Sequence, residues 1–398
     1  NDENGDTPLV TACREGHVDV VKYLLKAGAD ITEQDKFGHT PLVTACFHGH
    51  IKVVEGLVKA KANVNLQDGE GNTPLVAACR KGHVGVVDVL VEAKADLKKS
   101  DANGDTSLET ACFHGHISVV DELVKAKANV NLQDGNGNTP LVAACRKGHV
   151  GVVELLVNAG VDIYKYDEHG YTPLVTACRR GHVGVVEVLM AAGADLKKSD
   201  ENGYTPLVTA CHEGHVDVVK YLLKSGADIT ERVKVGHTPL VTACFDGHIS
   251  VVDELVKAKA NVNLQDGKGN TPLVSACHKG HASVVELLVK AGADINKSDK
   301  YGTIPLVAAC LHGHARVMDK LVELGADVNR KHGTGYTPLG YASFKGHVDM
   351  VKMLLKYGAD INQRDTKGRT ALEIANKNKN KRVIEELEKA FISHQSPE

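Results

Sequence analysis

The residues best suited to chemistry are cysteines and histidines set in strict register. Cys13, Cys46, Cys79, Cys112, Cys145, Cys178, Cys211, Cys244, Cys277 and Cys310 stand 33 residues apart, and a His follows each four places on, from Cys13/His17 to Cys310/His314. Such groups could bind zinc, form disulfides or pair a nucleophile with a base. Each of those tasks needs donors that converge on one point, whereas every interval here supplies a single pair and zinc wants four ligands. The spacing therefore reads as a structural period, with Cys a small, mildly apolar filler. Helices stacked roughly 8–10 Å apart would also hold equivalent cysteines beyond the ~7 Å Cα limit for a disulfide. No metal and no cofactor is expected. A Gly-rich phosphate loop, a Ser-His-Asp ordering and an HExxH pattern are all absent from the sequence, so no enzymatic activity is expected either.

The elements that carry this ladder repeat with it. Thr-Pro-Leu opens at Thr7, Thr40, Thr73, Thr139, Thr172, Thr205, Thr238, Thr271 and Thr337, and Thr106, Ile304 and Thr370 hold the same phase in altered form. Thr suits a helix N-cap and Pro the first helical position, so each block starts a helix. That helix should end at a Gly such as Gly16, and a second should begin near His17 with Val18, Val21, Leu24 and Leu25 along one face. A stop at Gly28, an extended Ala29-Asp30-Ile31 and an Asp-x-x-Gly turn, Asp35 to Gly38, lead to the next Thr.

Helix, tight turn, antiparallel helix and β-turn every 33 residues, with Thr7-Pro8-Leu9-Val10-Thr11-Ala12-Cys13 at the helix start, resembles the ankyrin repeat. The resemblance implies an all-α solenoid of antiparallel helix pairs joined by β-turn or hairpin loops, spanning residues 1–390 in about twelve units that start near 7, 40, 73, 106, 139, 172, 205, 238, 271, 304, 337 and 370. Val stands where the family commonly has a His that bonds between repeats, and apolar contact is expected to compensate. Residues 370–390 are polar enough for a C-terminal cap, leaving 391–398 as a tail. The chain starts without Met inside a repeat, which suggests a segment of a longer protein.

Departures from the pattern carry history and strain. The unit at 7–39 matches that at 205–237 in 28 of 33 positions, as 40–72 matches 238–270, which points to duplication of a six-unit block followed by drift. Lys61, Lys94, Lys127 and Lys259 stand where a helix-ending Gly is preferred. Val233 and His332 replace the turn Asp, and Ile304 lacks the capping hydroxyl, so the softest stretches are expected at 232–237 and 302–335.

Composition narrows the function. Net charge is −3, aromatic content 4%, and Trp is absent, which favours thin helical layers over one large core. No apolar run approaches the ~18 residues of a membrane span, so no membrane insertion is expected; free thiols suit the cytoplasm, or the nucleus. The ankyrin resemblance implies recognition of proteins by a concave side made from turn tips and first-helix ends. The two residues before each Gly-His dipeptide that opens a second helix, together with Lys377 and Asn378 in the same phase of the last unit, hold four of the six Phe residues and ten Lys or Arg against three acids. Phe47, Arg80, Lys81, Phe113, Arg146, Lys147, Arg179, Arg180 and Phe245 lie in that strip, with Tyr171 and Tyr204 at turn tips beside it. Phe, Tyr and Arg are the types that dominate binding energy. A protein or peptide partner that is acidic with apolar anchors is therefore expected. An elastic spacer in a larger receptor, channel or linker is the alternative. RNA binding is the weaker reading, because acidic turn residues such as Glu168 and Glu201 flank the basic strip.

Overall fold

At Thr7 the backbone is extended (φ −80°, ψ 153°), its Oγ1 accepts the Val10 N–H at 3.2 Å, and Pro8 fills the first helical position. The computed structural model describes residues 7–167, 169–234 and 236–395, so the turn residues Glu168 and Val235 lie outside the described residues. The same threonine cap recurs down to Thr337 and Thr370. Ile304, lacking the hydroxyl, makes no side-chain cap. Each first helix but the last ends at a left-handed glycine, such as Gly16 at φ 76°, as the sequence requires.

The chain divides into two compact units, Asn1–Glu201 and Asn202–Glu398. In the first, six first helices run Pro8–Glu15, Pro41–His48, Pro74–Lys81, Ser107–His114, Pro140–Lys147 and Pro173–Arg180. Each is followed by a nine-residue second helix, from Val18–Lys26 to Val183–Ala191. The second compact unit repeats the plan from Pro206–Glu213 to Ala371–Lys377, and closes on the long helix Lys381–Gln395, which runs past the boundary expected at 390. Among the described residues there are twenty-four helices and no strand, only an isolated antiparallel bridge between Ser100 and Thr106. This is the all-α array of helix pairs that the repeat dictates.

The two helices of a repeat are buried to different degrees. Every residue of Pro74–Cys79 is buried, because a first helix packs against the first helices of adjoining repeats and against its own second helix. The second helix buries one stripe, Val86, Val87 and Leu90 in the third repeat. The valines that replace the family's histidine, Val76 and Val142 among them, are fully buried, which is the apolar compensation expected.

All ten cysteines are buried and free, and burial pushes their thiols up, Cys13 to about 12. The thiolate is the nucleophile and the metal ligand, so these positions serve packing. The native chain should therefore show almost no reaction with a thiol-exchange reagent at pH 8 and the full complement of ten in denaturant. Rapid modification of several thiols in the native state would contradict this.

Between repeats, the turn is built on Asp35, whose Oδ1 accepts the N–H groups of Phe37 and His39 at 2.9 and 2.8 Å. The segment before it is tighter than the extended stretch expected, since Asp30 Oδ1 accepts the Thr32 N–H at 2.8 Å in a second small turn. His332 substitutes chemically for its turn Asp, its Nδ1 accepting the Thr334 N–H at 2.9 Å. Val233 has no acceptor to give and is simply buried. Lys61, Lys94, Lys127 and Lys259 do adopt left-handed backbone, at φ 66°, 62°, 64° and 64°. Lys→Gly at any of them should stabilise the chain by up to about 1 kcal/mol, read as a higher urea midpoint with unchanged slope.

Candidate functional site

The strip of residues before each Gly-His dipeptide is held by the dipeptide of the following repeat. In the first compact unit the Nε2–H of His50, His83, His116, His149 and His182 donates to the carbonyls of Arg14, Phe47, Arg80, Phe113 and Arg146, at 2.8 to 3.3 Å. In the second, His248, His281, His314 and His347 do the same to His212, Phe245, His278 and Leu311. The acceptors are last-turn carbonyls without a partner inside their own helix. The glycine is required on two counts: at Gly148 φ is +80°, and an added Cβ would stand 2.6 Å from the His182 ring. Asn380 takes the role in the last repeat, its Nδ2 donating to the Ser343 and Phe344 carbonyls.

Side chains on this strip divide into two groups. Arg14, Arg80 and Arg146 reach forward to the turn carboxylate that leads into the next repeat, Asp35 at 3.6 Å, Asp101 at 2.9 Å and Asp167 at 3.6 Å. Those carboxylates have almost no exposed surface, so each arginine compensates a charge that the turn has desolvated. In the second compact unit the equivalent place holds His212, which pairs instead with Asp246 at 2.8 Å.

The lysines stay outside and lie over rings. Lys81 Nζ sits 4.5 Å from the Phe47 ring centre, Lys147 4.3 Å from Phe113, and Lys279 4.3 Å from Phe245, each pair joining neighbouring repeats. The alternation of Phe-His with Arg-Lys along the strip thus has a physical use, since each phenylalanine receives an ammonium on its face. The Arg179 guanidinium lies 4.9 Å from the Tyr171 ring, and the Tyr204 ring is 5.7 Å from His212. Arg180 is exposed at the same level.

Two shallow cups open beside these rings. In the first compact unit a cavity of about 320 Å³ is bordered by Phe47, His48, His39, Glu70, Arg14 and Arg80. Its counterpart in the second, of about 390 Å³, is bordered by Phe245, His237, Lys268, His278, Tyr301 and His312. Phe47 and Phe245 occupy equivalent places in the duplicated block.

One feature of this region lies outside the expectations from sequence. Glu109 stands at the first-helix position that is Val in the neighbouring repeats, and it is buried, with no hydrogen-bond partner at Oε2. Asp105, Glu109 and Asp134 bring carboxylate oxygens within 4.8 Å of one another. Burial first, then Asp134 and Asp105, push the Glu109 carboxyl up to about 9. A signal for it exists in the sequence: Thr106-Ser107-Leu108-Glu109 is the one altered helix start that puts an acid in the valine slot of an internal repeat.

Several histidines on and beside the strip are harder to protonate than a free imidazole. His312, its ring 3.9 Å from that of His278, is lowered to about 4, by burial first and then by His278, His314, Lys345 and Lys279. His48, His114 and His278, and His237 at the turn before Thr238, shift the same way, with burial the leading cause. For His278 the Lys279 and His314 charges add to burial. The unfolded chain takes up these protons near pH 6.5 and the folded chain only at lower pH. Stability from this source is therefore level above about pH 6.5 and falls as pH drops from there toward 4. Urea midpoints of the wild type should decline across that window, and His312→Gln should decline less. Parallel declines would remove His312 from the account.

Comparison with known proteins fits this geometry. The family model described as ankyrin repeats (3 copies) matches residues 1–68, 58–134, 119–200, 165–233, 192–266, 240–332 and 306–395. No curated protein matches the chain.

Proposed function

Because the chain belongs to the ankyrin-repeat family, whose arrays are generally protein-interaction modules, we propose that it is a non-enzymatic scaffold that captures an extended acidic segment of a partner protein. No described helix is long and apolar enough to cross a membrane. The observation that carries the reading is the row of Phe–Lys pairs on the first-helix ends. Phe113 is 36% exposed although Phe is scarce in this chain, and Lys147 lies over its ring. A ring with an ammonium beside it suits a peptide in which a carboxylate neighbours an apolar side chain.

Roles within the strip are divided. Arg80 and Arg146 are engaged with buried turn carboxylates, so they support the surface from within. Lys81, Lys147 and Arg180 then supply charge to the partner, with Arg179 held over Tyr171 beside them, while Phe47 and Phe113 receive its apolar side chains. Tyr171, under Arg179, extends this surface at a turn tip. In the second compact unit Phe245, with Lys279 over its ring, and Tyr204, beside His212, offer the same chemistry. Phe47 and Phe113 stand two repeats apart, roughly 20 Å at 8–10 Å per layer, which matches about six residues of extended chain. Weak contacts spaced in this way add along one segment.

Selection from a random peptide display library on the full chain tests this. The selected peptides should be enriched in Asp and Glu interspersed with Leu, Ile or Phe, and should lose at least ~10-fold in affinity, about 1.4 kcal/mol, to Lys81→Glu/Lys147→Glu/Arg180→Glu. Peptides without acidic enrichment, or binding indifferent to this charge reversal, would overturn the proposal.

A further inference from the structure

Glu109 occupies a place built for a hydrocarbon. At the equivalent position Val76 and Val142, in the adjoining repeats, are fully buried. Glu109 is only 5% exposed, and its Oε2 is sealed from solvent with no hydrogen-bond partner. A buried carboxylate in that condition is costly unless something compensates its charge.

The side chain had a local alternative and does not take it. Thr106 and Glu109 have the spacing of a capping box, and Thr106 Oγ1 accepts the Glu109 N–H at 3.3 Å. In the last repeat the same spacing closes the box, the Thr370 N–H donating to Glu373 Oε2 at 2.7 Å. In the fourth repeat that return bond is not made. The Glu109 carboxylate instead meets Asp105, which precedes its own helix, and Asp134, in the turn that leads into the next repeat. Asp105 is itself a departure, standing where neighbouring repeats carry Asn72, Asn138 and Tyr171.

Two nearby guanidiniums offset part of this charge, Arg146 that of Glu109 and Arg80 that of Asp105, but each has closer partners elsewhere. Arg80 pairs with Asp101 at 2.9 Å. Arg146 is divided between Asn138 Oδ1 at 2.6 Å and Asp167 at 3.6 Å. Asp134 accepts the N–H groups of Asn136 and Asn138 and the Asn138 side-chain amide, at 2.8, 2.7 and 2.9 Å, which fixes its carboxylate in place. Three carboxylates thus face one another with only partial compensation, and a shared proton or a cation would relieve the repulsion that remains.

We propose that Asp105, Glu109 and Asp134 bind a hard divalent cation, of the Ca²⁺ or Mn²⁺ type, at the fourth repeat, between its first helix and the turns that flank it. The donors are all oxygen, which selects such ions over zinc or copper. Two oxygens bound to one Ca²⁺ at about 2.4 Å each can stand up to about 5 Å apart, and the ligand oxygens lie within 4.8 Å of one another. Half-buried Asp105 gives the site its opening to water, which would complete the coordination. Bound there, the ion would join a first-helix side chain to the following turn, the same span that Arg80 and Arg146 bridge in their repeats.

The test uses the full chain with Mn²⁺ followed by electron paramagnetic resonance, and Ca²⁺ by calorimetry. One saturable equivalent is expected, lost in Glu109→Val and weakened ~10-fold or more in Asp105→Asn. Glu109→Val restores the residue of the adjoining repeats and should fold; its melting temperature should no longer respond to Mn²⁺ or Ca²⁺, whereas that of the wild type should rise. Absence of saturable binding at millimolar ion would overturn the proposal and leave a shared proton as what the cluster holds. Binding that Glu109→Val does not alter, or a clear preference for Zn²⁺, would overturn it equally.

Discussion

The interaction on which the rest of this structure depends is the bond from a histidine ring to a helix-end carbonyl one repeat back. Helices of eight residues have few internal hydrogen bonds, and their last carbonyls need partners. The Gly-His dipeptide solves this for the preceding layer: His149 holds the Phe113 carbonyl while Gly148, left-handed and without a Cβ, makes room for the ring of His182. Every described link of this kind points to the same place in its neighbour, so the register of the stack is set by hydrogen bonds as well as by apolar contact.

That bond engages only the backbone of the strip, which leaves the side chains there open to other uses. They separate by chemistry. Arginine, with a planar fork and weaker hydration, turns inward to buried turn carboxylates; lysine, more strongly hydrated, remains outside and lies across phenylalanine. A surface that looks uniformly basic when formal charges are counted is therefore layered, with an inner set that neutralises the fold and an outer set available to a ligand.

The fold was legible because its signals are local and repeated: Thr caps, Pro at the first helical position, left-handed Gly and one apolar stripe agree in nearly every repeat. The left-handed lysines were legible for the same reason, as each stands in a glycine slot. The site was only half legible. The positions of Phe47, Phe113 and Phe245 followed from phase, but Arg80 reaches across its second helix to Asp101, and Lys81 crosses a repeat boundary to Phe47. Sequence spacing does not say in which direction a long side chain swings. Asn380 shows another limit, since it replaces a histidine with no visible motif and still caps Ser343. Glu109 was a plain departure from the pattern, hidden by its resemblance to an ordinary capping residue.

The pair formed by Arg14 and Asp35 shows how such an array changes over time. At the matching positions of the second block neither member is present, Arg14 being answered by His212 and Asp35 by Val233, so that block holds neither a lone guanidinium nor a lone buried carboxylate at this joint. His48, one repeat further on, is answered by Asp246, and it is this new acid that His212 meets. Three differences between the matching blocks thus go with a link that is helix-to-turn in one and helix-to-helix in the other. Within one chain, two ancestral twins preserve alternative solutions to the same joint, and residues at such joints are expected to be exchangeable only as sets.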